Sequence, residues 1–149
     1  MSSVTTVYES LVERIVAVFP SHTRLTDAYS IEENMEQFLK IGWGLAIGPA
    51  VNSERFLSAK LSYERNFILT ITRKFVAREL DVETKAAAER LLMEDVYLIT
   101  SDLTRDSTLN NATNHVKYIG DSGIEKVFVD KSQYLMSQIE IQSTIIESI

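Results

Sequence analysis

Acid–base or metal chemistry in a chain without cysteine would centre on histidine, and this one has two, His22 and His115. Both stand in polar stretches, and neither has a second ligand at metal spacing. Two solvated loop histidines are expected. No Gly-x-Ser-x-Gly turn is present to raise a serine nucleophile above a sheet. Glu32-Glu33-Asn34 and Glu94-Asp95 are the acidic clusters on helical segments. Paired carboxylates do acid–base work only when they converge, and sequence neighbours on a helix point apart. Solvated helix faces are therefore expected. The acids between Asp102 and Asp106, and Asp121-Ser122-Gly123, lack the ligand alternation of a calcium loop. The expectation is no catalytic residue, no cofactor and no metal.

Two further patterns have chemical potential. Ile41-Gly42-Trp43-Gly44-Leu45-Ala46-Ile47-Gly48-Pro49 gathers three of the five glycines around the only tryptophan. A phosphate cradle needs a strand before its glycines and a helix after them. Pro49 and a polar loop, Val51-Asn52-Ser53-Glu54, follow instead. A strand over 42–48 is expected, with Trp43, Leu45 and Ile47 on one face and glycines admitting a close backbone or ring. The second pattern is cationic. Arg55, Arg65, Arg73, Lys74 and Arg78 lie near Phe56, Tyr63 and Phe75, as in surfaces that stack on bases. Fifteen Lys and Arg against twenty-one Asp and Glu give a net charge of −6. Bulk charge does not draw such a chain to phosphate. Acids of a neighbouring subunit are the alternative partners.

The element that must position these residues runs from Leu57 to Phe75. Its odd positions, Leu57, Ala59, Leu61, Tyr63, Phe67, Leu69, Ile71 and Phe75, are apolar except for Arg65 and Arg73; its even positions are mostly polar. Period-two alternation predicts a strand wet on one face and buried on the other. At about 3.3 Å per residue it reaches roughly 60 Å, so it bends near Arg65–Asn66 or projects beyond the body.

Around it, Val4, Val7, Tyr8, Leu11, Val12, Ile15, Val18 and Phe19 predict a helix stopped by Pro20, with Thr5 or Thr6 as N-cap. Residues 21–28 read as a loop. Ser30 and Glu33 read as the start of a short helix over 31–40. Asp81 reads as the N-cap of a helix from 82 to about 103. Ala88, Leu92, Val96, Ile99 and Leu103 form its apolar stripe, widened by Leu91 and Leu98. Thr104 to Asn114 reads as a mobile loop. Val116–Ile119 and Ile124–Val129, around Gly120-Asp121-Ser122-Gly123, read as a hairpin. A last strand places Leu135, Ile139, Ile141 and Ile145 on one face. The fold class is α+β: a mostly antiparallel sheet with a long strand or hairpin, and helices on one face.

The chain of 149 residues fits one domain, 1–149, large enough for its own core. Without cysteine it has no disulfide or thiolate site. No apolar run is long enough to span a bilayer, and Met1–Thr6 lacks the features of a secretory signal.

Several stretches together resemble one family. They are Tyr8-Glu9-Ser10-Leu11-Val12-Glu13-Arg14-Ile15, the glycine-rich 42–49 segment, Thr72-Arg73-Lys74-Phe75, Asp121-Ser122-Gly123-Ile124 and Tyr134-Leu135. In element order and loose motifs the chain resembles tail-terminator (tail-completion) proteins of long-tailed bacteriophages. The resemblance implies a structural virion protein of the tail and neck, assembled in the host cytoplasm, with no enzymatic role and no membrane partner. It implies a hexameric ring on the tail tube protein that ends polymerisation and presents a surface to the head–tail connector protein. DNA would pass through an acidic lumen without specific binding. Ring subunits need two different complementary patches. The long strand and the 49–56 loop are candidates for one, with Trp43, Asn52, Arg55, Phe56, Arg65 and Arg73 as its residues. Two other readings remain: another phage neck or head–tail adaptor protein, and a small acidic regulatory protein binding one partner.

Overall fold

The computed structural model describes residues 3–24, 41–55, 60–75, 82–109, 115–129 and 132–148. Within them the chain forms α1 (Val4–Val18), β1 (Thr23–Arg24), β2 (Ile41–Arg55), β3 (Lys60–Phe75), α2 (Val82–Arg105), β4 (Val116–Asp121), β5 (Glu125–Val129) and β6 (Ser132–Ser148). The expected helix over 31–40 and the Asp81 cap lie outside the described residues, as does Phe56. The fold is α+β, with two helices and a six-stranded, mostly antiparallel sheet among the described residues.

The sheet runs β1-β2-β3-β6-β4, with β5 also on β6. The alternating segment becomes β3, and it is central. Every residue from Lys60 to Phe75 has a partner in β6, without a register shift. On its other edge β3 pairs with β2 from Ile41↔Arg73 to Arg55↔Leu61. Among the described strands only β1 is parallel to its neighbour.

The strand expected over 42–48 continues through Pro49 to Arg55, so the expected loop after Pro49 is strand as far as the described residues reach. Proline is accommodated by a bulge. Ile47 pairs with Phe67 and Ala50 with Arg65, leaving Gly48 and Pro49 opposite Asn66 alone. Here glycine admits a close backbone: a Cβ on Gly48 would lie 3.1 Å from Asn66 O and 3.4 Å from Asn66 Cβ.

The expected β4–β5 hairpin does not form. Both strands pair antiparallel with β6 in succession, as two parts of one interrupted edge. Gly123, at φ +71°, accommodates the interruption, and its N–H donates to Asp121 Oδ1 at 2.8 Å. Ser122 N–H donates to Gln138 O, and Gln138 N–H to Ser122 Oγ, both at 2.9 Å. These bonds keep the ladder satisfied across the break.

The core lies between the odd face of the sheet and the helices. Val7, Leu11 and Ile15 of α1, the expected stripe of α2, and Tyr63, Phe67, Leu69, Ile71, Leu135, Ile139, Ile141 and Ile145 form it. Ser3, rather than Thr5 or Thr6, caps α1, accepting the Thr6 N–H on Oγ at 3.1 Å. Leu91 and Leu98 do not widen the core. They stand roughly 100° around the α2 axis from Leu92 and Ile99, and both are exposed. Nor is the even face of the sheet uniformly wet. Thr70, Thr72, Tyr134 and Met136 are buried on it, Thr72 and Thr70 opposite the bare positions Gly42 and Gly44.

The expected mobile loop after α2 is tied down over its described part. Leu109 is buried at φ +49°, and Val116 N–H donates to Ser107 O at 2.7 Å. Arg14 of α1 pairs with Asp102 and Asp106, joining this turn to both helices.

A prediction follows from the bulge. Asn66 belongs to a strand paired on both sides and cannot retreat. Gly48→Ala is expected to destabilise by about 1–2 kcal/mol. Gly120→Ala, with nothing within 4 Å of its Cβ, is expected to leave the urea midpoint unchanged.

Candidate functional site

Two arrangements bear on function: a buried polar network under α2, and the two outer edges of the described sheet. The network is set by alternation. Arg73 occupies an odd position of β3, so its side chain is on the core face. Asp95 stands at the margin of the α2 stripe, one turn from Leu92 and Ile99. The two meet in a bidentate pair, Nε to Oδ2 at 2.8 Å and Nη2 to Oδ1 at 3.0 Å. His22, just before β1, places Nε2 3.2 Å from Asp95 Oδ2. Its ring stacks on Phe19 with centroids 4.4 Å apart.

Neither His22 nor Asp95 is the solvated group that the sequence suggests. Asp95 is only 3% exposed, and the His22 side chain only 9%. Burial pushes the Asp95 carboxyl up, but hydrogen bonds from His22 and Arg73, and the attraction of their charges, outweigh it. The net result holds Asp95 below its usual 3.8. His22 Nδ1 is buried without a hydrogen-bond partner among the described residues. An Asp–His pair resembles part of a catalytic triad, but a triad needs a nucleophile in reach of the free nitrogen. Among the described residues no side chain is bonded to that nitrogen. The network joins the 19–24 segment, the central strand and α2. His115 is exposed, and its carbonyl accepts the Thr144 N–H at 3.1 Å.

The structure separates the residues expected at a subunit interface. Trp43 is buried, with the Arg24 guanidinium 5.7 Å from its ring centroid. Arg24 also donates to Tyr8 Oη at 3.2 Å, and Tyr8 donates to Leu45 O at 3.1 Å. Arg65 donates to Gly48 O at 3.1 Å and lies 5.5 Å from the Tyr63 ring centroid. Arg73 is held by Asp95. These three side chains are engaged within their own chain. Asn52 and Arg55 lie in β2, paired with Tyr63 and Leu61, and their side chains fall outside the described residues.

The outer edges are more available. β1 covers β2 only at Gly42 and Trp43; beyond them no described strand lies outside β2. At the opposite side no described strand lies outside β4 or β5. Ile47 is 51% exposed at the first edge, and Tyr118 and Ile119 are 39% and 43% exposed at the second.

Two open crevices accompany these features. One, of about 390 Å³, lies between the helices beside Glu13, Arg14 and Asp102. The other, of about 430 Å³, lies on the even face of the sheet beside Ile68, Ile119 and Glu140. Among the described residues no group of His, Asp and Glu is placed to hold a metal, and no helix is long and apolar enough to cross a membrane. No protein-family model and no curated protein matches the chain.

The network predicts a pattern of stability changes. Asp95→Leu leaves the Arg73 charge buried and unpaired and is expected to cost about 3–5 kcal/mol. Adding Arg73→Met is expected to recover most of that loss, by urea unfolding. Because the folded-state carboxyl titrates below the unfolded one, its contribution is complete above about pH 4 and is lost as pH falls through the depressed value. An acid titration of stability should show this loss in the parent and not in the double variant.

Proposed function

We propose that this chain is a structural subunit that assembles with copies of itself into a ring capping a bacteriophage tail tube. In this reading it ends tube polymerisation and offers its far side to the head connector. The observation that carries the proposal is the form of the sheet. Three strands of 15, 16 and 17 residues stand side by side, and among the described residues no strand lies outside β1 on one side or outside β4 and β5 on the other. A ring subunit needs two different patches complementary to each other, and two unlike edges on one sheet suit that need. The order of helix, long strands, long helix and closing strands accords with the same reading. The net charge of −6 suits a lumen that lets DNA slide without adhering.

Electron microscopy of growing tail tubes mixed with the protein tests the proposal. The expected result is tubes of fixed length, each bearing one added hexameric ring at its end. Tubes that keep growing with the protein unbound would overturn it. A twelvefold ring on the head side would favour the adaptor reading. A monomer bound one-to-one to an unrelated protein would favour the regulatory one.

A further inference from the structure

The outer side of α2 has a pattern that its place in the core does not require. Tyr97 is 69% exposed, and Leu91, Met93 and Leu98 are exposed with it. Ala86, Ala87, Arg90 and Glu94 are exposed on the same side. At about 100° per residue, Arg90 and Glu94 each stand about 20° from the line opposite the buried stripe, one on either side of it. Ala86, Met93 and Tyr97 share the flank of Arg90, and Ala87, Leu91 and Leu98 share the flank of Glu94. Arg90 and Glu94 are four apart, yet no ion pair joins them or ties either to another described residue. Arginine before glutamate is the less favourable order for a pair along one helix.

Charge and side-chain size select how such a face can meet a partner. A parallel copy of α2 would set Arg90 on Arg90 and Glu94 on Glu94. An antiparallel copy centred at the level of either residue would do the same at its centre. Centred at the level of Leu92, an antiparallel copy brings Arg90 of each chain to Glu94 of the other, two reciprocal pairs across the seam. A two-fold axis there keeps each flank on its own side and reverses height along the helix. Tyr97 then meets Ala86, and Leu98 meets Ala87, each within about 1.5 Å of the same level. Bulky side chains over alanines let two helices approach to the usual 8–10 Å, roughly. One patch that complements itself in this way is the mark of an isologous contact.

We infer that α2 is a dimerisation surface on which a second copy of this chain packs antiparallel about a two-fold axis level with Leu92. The Arg90–Glu94 pairs fix the register, and Tyr97 and Leu98 cover the alanines. The contact uses no residue of either sheet edge, so it does not rest on the tail reading. One helix on one helix is a small interface, and the dimer is expected to depend on concentration.

Sedimentation equilibrium of the full-length protein across a concentration series tests it. The parent should pass from monomer to dimer. Arg90→Glu and Glu94→Arg should each raise the dissociation constant by about tenfold or more, because each sets like charges together, with unchanged circular dichroism. The two substitutions combined in one chain should restore the dimer. So should an equimolar mixture of the two single variants, which restores opposite charges only between chains. A parent that stays monomeric at every concentration would overturn the inference. Single variants that dimerise like the parent, or a mixture that stays monomeric, would also overturn it. Rings formed equally by parent and variants, with no dimer, would sink this contact and leave the ring reading untouched.

Discussion

The structure depends on β3 being paired along both edges. A strand with neighbours on either side has its backbone donors and acceptors committed, so it cannot shift without breaking two ladders. The lack of any register shift against β6 fixes which side chains reach the core. A one-residue slip would turn Phe67, Leu69 and Ile71 away from the helices and bring Ile68, Thr70 and Thr72 towards them. Irregularity is instead displaced outward, into β2 on one side and the β4–β5 edge on the other. There a bulge costs one ladder rather than two.

Two arginines interrupt the apolar face of β3, and their positions lead to different outcomes. Arg65 lies close to the first bulge, where the chain exposes the Gly48 carbonyl and the Tyr63 ring is in reach. Arg73 lies under α2, where nothing but a carboxylate can offset the cost of burying its charge. Asp95 supplies it and recruits His22. The outcome is mainly specificity, because a buried pair contributes little net stability over apolar residues of similar volume. It sets the rotation of α2 about its axis and fastens the 19–24 segment. Phe19 in the core, His22 on Asp95 and Arg24 on Trp43 give that short segment three anchors.

With these charges engaged internally, the described surfaces left for partners include backbone edges and exposed apolar side chains. Such a surface recognises another strand better than a small substrate. A regular strand edge offers a row of donors and acceptors and few converging polar side chains. The proposed assembly uses the sheet in this way, as a rigid block with two unlike sides. On the outer side of α2, Leu91, Met93, Tyr97 and Leu98 are exposed as well.

Much of this fold was legible in the residues. The period of two gave the central strand over 60–75 and its buried face, with 57–59 outside the described residues, and the spacing of Ala88, Leu92, Val96, Ile99 and Leu103 gave the buried stripe of α2. Local spacing is enough there because each pattern reports one element's own periodicity. Arg73 on an apolar face was a visible sign that a buried anion existed. Its identity was not visible, since Asp95 is 22 residues away and looks like any solvated acid beside Glu94. His22 could be read as polar loop for the same reason. The continuation of β2 through Pro49 and the placing of β4 and β5 along β6 depend on bulges, and a bulge is defined by the partner strand. Sequence by itself determined the two long helices, the central strand and the main apolar face of each. Only tertiary structure decided which charges are buried together and which strands are neighbours, because both follow from pairing between segments far apart in the chain.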